Sequence, residues 1–163
     1  LGLRALYEII ELSGGFTQYA ETMQRTPPRR LILISVNAAT DPQSSMDRTP
    51  KQPSIAQSIN AVSNVQLRRY STDTIALIDK SLKRWAGEIS SPQHPVEPYF
   101  ILLDFNGIED PNQREFLNQM PTSFSLSDEQ VDALIAAGGE LLRGNPEFRR
   151  LLADLAADAR SGH

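Results

Sequence analysis

The sequence predicts an α/β fold, part of a three-layer unit in which two interior strands, residues 31–36 and 99–105, carry about five to six helices. Three observations predict it. Leu31–Val36 and Tyr99–Phe105 are short runs, apolar at nearly every position and rich in branched or aromatic residues, as strands buried on both faces are. Most other segments repeat apolar residues at three- and four-residue spacing, the mark of helices with one buried face. Ten of the eleven prolines fall between the helices so defined, and the eleventh, Pro146, sits at a helix's first position, where the ring is tolerated.

The elements follow in order. Leu3, Leu6, Tyr7 and Ile10 mark a helix that runs to about Leu12 and stops at Gly14–Gly15, a helix C-cap rather than a phosphate loop. A second short helical piece covers residues 17–24, and Pro27–Pro28 precede the first strand. A polar loop runs from Asn37 to about Pro53, with Pro42, Pro50 and Pro53 barring helix. Two helices are expected next. Ser54 caps the first, with Ile55, Ile59 and Val62 on its face; Ser71 or Thr72 caps the second, with Ile75, Ile78, Leu82 and Trp85. Pro92, Pro95 and Pro98 lead into the second strand.

The remainder reads as helical. Asn112–Gln119 is a short amphipathic stretch ended by Pro121. Ser127 and Gln130 form a capping box ahead of Val131, Leu134, Ile135, Leu141 and Leu142. Gly138–Gly139 cost that helix about 1 kcal/mol each relative to Ala, so close packing or a kink is expected there. Asn145 caps the last helix, whose buried stripe is Phe148, Leu151, Leu152 and Leu155. Residues 127–157 thus form a C-terminal helical pair within a single domain portion spanning 1–163.

Composition removes several classes of function. The 163 residues include no cysteine, which excludes disulfides, thiolate zinc sites, iron–sulfur clusters and thiol nucleophiles. Hydrophobic residues make up 40%, too many for a disordered chain. Residues 1–100 hold 11 basic and 9 acidic side chains, whereas 101–163 hold 5 and 11, so the basic surplus of a nucleic-acid binder is missing. The longest apolar runs, Leu31–Ile34 and Phe100–Leu103, fall far short of the roughly 20 residues a membrane-spanning helix needs. No signal peptide is evident. The chain is already apolar and periodic at Leu1, with no cap before it, so the sequence is expected to continue upstream.

Catalytic chemistry is sparse. No G-x-S-x-G occurs. Ser13 follows a helix, which suits capping rather than nucleophilic attack. His94 lies among prolines in a linker and His163 is the last residue, so no zinc-ligand spacing arises. Asp104, Asn106 and Glu115 match positions one, three and twelve of a calcium loop, but Ile108, Glu109 and Pro111 stand where that loop needs an oxygen ligand, a glycine and an unbroken backbone. No catalytic, metal or cofactor residue is therefore assigned, and no cofactor is expected. In open α/β sheets function gathers beyond the carboxyl ends of the strands. Those positions hold Asn37, Asp41 and Asp47 after the first strand, and Asp104 and Asn106 after the second. Turn and capping roles account for each, while Asn37 and Asp41 are the candidates for lining a cleft or orienting a neighbour.

Two strands, each apolar on both faces, do not make a sheet that stands alone. The order of segments points to what is missing. Leu1-Gly2-Leu3-Arg4-Ala5-Leu6 resembles the helix that follows the D-G-G-x-x-D-N aspartate motif of bacterial patatin-like phospholipases. The strand into Val36-Asn37-Ala38, the loop with Asp41-Pro42 and the helical opening Ser71-Thr72-Asp73-Thr74 are similar to that family in order. So are Tyr99-Phe100-Ile101 and Pro121-Thr122-Ser123-Phe124 ahead of Val131-Asp132. The likeness covers nearly the whole chain. It implies an α/β acyl hydrolase with a serine–aspartate dyad, acting on acyl esters of lipids, with no metal in the ester cleavage of most members. Both catalytic motifs are absent from these residues, so no catalytic residue is carried over. The resemblance implies the carboxyl-terminal portion of such an enzyme, inactive alone, with the upstream part of its own domain as partner and no nucleic acid or transmembrane segment involved. A non-enzymatic module that completes a partner's sheet is the alternative. A peripheral membrane-binding domain ranks behind both, since no helix joins a strongly basic face to a bulky apolar one.

Overall fold

The computed structural model describes residues 2–22, 28–37, 55–121, 123 and 125–161, and over 55–71 the backbone alone. The elements are α1 (Gly2–Leu12), α2 (Phe16–Thr22), β1 (Arg30–Asn37), α3 (Ile55–Ile89), β2 (Glu97–Asp104), α4 (Pro111–Asn118), α5 (Asp128–Gly144) and α6 (Pro146–Ser161). β1 and β2 pair in a two-stranded parallel sheet, so the described residues are mixed α/β. They divide into two compact units. One holds α1, α2 and α3 with the entries to both strands, and the other holds the body of the sheet with α4, α5 and α6.

In the first unit a glycine turn sets the packing. Gly14 and Gly15 take φ of +91° and +97°, a region costly for any residue with a Cβ. Their N–H groups donate to the carbonyls of Glu11 and Ile10, each at 3.1 Å, which satisfies the end of α1. The reversal brings Phe16 and Tyr7 onto Trp85, with ring centroids 5.8 and 6.2 Å away. Trp85 is fully buried, and its indole N–H donates to Glu11 at 3.2 Å, as a buried Trp requires. Glu11 also pairs with Arg84.

The sequence predicted two helices where α3 is one helix of 35 residues. Neither glycine nor proline occurs between Ile55 and Ala86, and Ser71, Thr72 and Thr74 each cost a helix only about half a kcal/mol. A cap residue starts a helix when something before it has ended the last one. Here nothing does. Ile78, Leu82 and Trp85 are buried as expected, with Thr74 and Ser81 on the same face, and Ile75 is half-buried. Ser54 and the face at Ile55, Ile59 and Val62 lie outside the described side chains.

In the second unit β2 is the centre. Tyr99, Ile101 and Leu103 alternate inward and pack with Leu151, Phe148, Leu141 and Leu142 of α5 and α6. Phe105, expected as the end of the strand, turns away into a 3₁₀ turn over Phe105–Gly107 and buries with Ile108, Leu117, Met120 and Ala137. Asp104 starts that turn by accepting the Asn106 N–H at 2.9 Å. At Gly107 the packing is close: an added Cβ would lie 2.8 Å from a Leu141 methyl, which would have to shift. Asp110 caps α4 with Pro111 in its first turn, so a second proline lies inside a helix. The Ser127–Gln130 capping box is present as read, with reciprocal bonds of 3.3 and 3.0 Å.

Three expectations about burial fail. β1 is not an interior strand: Ile32, Ile34 and Val36 are 46%, 48% and 72% exposed, because the cover that α5 and α6 give Tyr99, Ile101 and Leu103 of β2 does not extend over this row. In α6 only Leu151 of the predicted stripe is buried. Leu152 and Leu155 are exposed, since β2 is too narrow a surface to cover both sides of the stripe. Gly138 faces open space, and what lies close to Gly139 is the guanidinium of Arg143 on the same helix rather than a neighbouring element.

α6 is tied to β2 by polar contacts as well. The buried Tyr99 hydroxyl donates to Asp154 at 2.5 Å, and Arg150 lies 4.0 Å over the Tyr99 ring while pairing with Glu147 at 2.8 Å. Asn145 joins three elements. Its Oδ1 accepts the N–H groups of Glu147 and Phe148 at 2.9 and 3.1 Å, and its Nδ2 donates to the Leu102 carbonyl at 3.1 Å.

Two stability predictions follow from these ties. Tyr99→Phe, which keeps the ring and deletes the hydroxyl, should lower the unfolding free energy by about 1–2 kcal/mol in urea titration, and an unchanged midpoint would show that the bond contributes nothing. Asn145→Ser should keep the cap and lose the bond to Leu102, costing less than Asn145→Ala, which loses both and should cost about 2 kcal/mol. Equal losses in the two variants would mean that the strand contact alone matters.

Candidate functional site

Parallel pairing places the carboxyl ends of β1 and β2 at the same end of the sheet, where ligands of open α/β sheets bind. Asn37 closes β1 there and is half-buried. Asp41 and Asp47 lie outside the described residues. Asp104 closes β2, and one of its carboxylate oxygens is engaged by the Asn106 N–H, so it acts as a turn cap. Asn106 is exposed. The sheet thus gathers Asn37 and Asp104 at one end. These groups can orient or accept hydrogen bonds; neither is a nucleophile for acyl transfer.

Ser13, Ser91 and His94 serve the backbone. Ser13 donates its hydroxyl to the Ile9 carbonyl at 2.8 Å, closing the end of α1 as the sequence suggested. Ser91 and His94 combine the residue types of a nucleophile and its base. Their contacts are of another kind: each main-chain N–H donates to the other's carbonyl, at 3.1 and 3.0 Å, and the Ser91 hydroxyl accepts the His94 main-chain N–H at 3.1 Å. The pair closes a turn between α3 and β2, and His94 is exposed, as a linker residue should be.

Sequence reasoning missed one set of polar side chains: Tyr99, Asp154, Arg150 and Glu147. The guanidinium of Arg150 is held above its ordinary range, chiefly by its hydrogen bond to Glu147, against the opposing effect of burial. A permanent cation on a tyrosine face and a phenol bonded to a carboxylate form a clamp between strand and helix. The signal was present in the sequence. Glu147, Arg150 and Asp154 repeat at three- and four-residue spacing beside Leu151, and a tyrosine at an inward strand position needs a partner for its hydroxyl.

Among the described residues no group of three or more His, Cys, Asp or Glu side chains is placed to hold a metal ion. No described helix is long and apolar enough to cross a membrane. No protein-family model, no curated protein and no solved structure matches the chain.

Proposed function

We propose that this chain is a non-catalytic portion of a patatin-like lipid acyl hydrolase, supplying sheet, helices and cleft wall to a partial three-layer unit. Its catalytic serine and aspartate would be carried outside these residues. The observation that carries the reading is the open face of β1. Ile32, Ile34 and Val36 alternate on one side of a parallel strand and are exposed, whereas parallel sheets are stable with both faces covered. A strand composed for burial and left open fits a sheet whose further strands and covering helices come from elsewhere in a larger unit. The segment order described above supports the patatin type among such units. In this reading Asn37 and Asp41 border the cleft at the carboxyl end of the sheet.

The second reading, a non-enzymatic module that completes a partner's sheet, draws on the same open face. The two part on what precedes Leu1 in the coding sequence. G-x-S-x-G and D-G-G upstream decide for the hydrolase, and a reading frame without them decides for the module.

For the chain itself, no turnover of p-nitrophenyl acyl esters and no reaction with a serine-directed fluorophosphonate are expected, because a Ser–Asp dyad needs both members. Stoichiometric labelling of one defined serine would overturn the assignment. The purified chain should also bind a hydrophobic dye through β1. Ile34→Thr combined with Val36→Thr should reduce that fluorescence at least two-fold while moving stability by no more than about 0.5 kcal/mol per site, as exposed substitutions do. Unchanged dye binding in the double variant would place the apolar surface elsewhere.

A further inference from the structure

We draw no further inference here: the strongest candidate, the exposed apolar face of β1 at Ile32, Ile34 and Val36, carries nothing beyond the proposal above because nothing in the structure shows which chain or segment covers it.

Discussion

A parallel sheet has two faces and both must be kept from water; the arrangement of the second unit depends on how far that requirement is met. β2 meets it on one side. Tyr99, Ile101 and Leu103 are sealed by α5 and α6, and burying three such side chains is worth about 5–8 kcal/mol in apolar transfer alone. That face fixes where the terminal helices lie. It also explains why Leu151 is buried while Leu152, one position on, is not: a single strand presents one row of side chains and accommodates one row of a helix. The neighbouring row on β1, Ile32, Ile34 and Val36, contributes little of that stabilisation as it stands.

Polar contacts refine what apolar burial establishes. Burial alone would let α6 slide along β2, because a leucine row packs on a flat strand in several registers. Asn145 removes that freedom at one end by bonding the Leu102 carbonyl while capping the helix, and the Tyr99–Asp154 bond removes it two turns later. Two fixed points on a rigid helix determine its register. Each contributes only about 1 kcal/mol net, yet breaking either leaves a part-buried polar group without its partner, and that is the larger cost.

How much could be read from the sequence divides along the same line. Local chemistry was legible: the glycine stop after α1, the Ser127–Gln130 box and the Asn145–Pro146 start of α6 follow from a few neighbouring residues, and the parallel pairing follows from the long helical connection between the strands. Helix α3 was misread because capping residues mark a beginning only when a breaker precedes them, and Ser71-Thr72 have none. Burial was the least legible property. Leu31–Val36 carries the composition of an interior strand, and composition reports the environment a segment suits rather than the one its neighbours supply. At the candidate site, Asp104 was readable as a strand-end cap from its spacing to Asn106, whereas the Tyr99 clamp joins residues 55 apart and needed the fold to bring them together.

The first unit shows the same mismatch between sequence and surroundings in a different element. Helix α1 buries Ile10 and sets Tyr7 on Trp85, yet Ile9 and Leu12 on its other side are exposed. The helix is amphipathic, with Arg4 and Glu8 among its polar positions, so these two side chains are apolar exceptions on its outer side. Scattered exposed leucines are common and mean little singly. What gives these weight is that β1, in the other unit, shows the same excess on its open face. Two elements of different kind, separated in sequence by a glycine turn and a short helix, are each composed for more cover than the described residues provide.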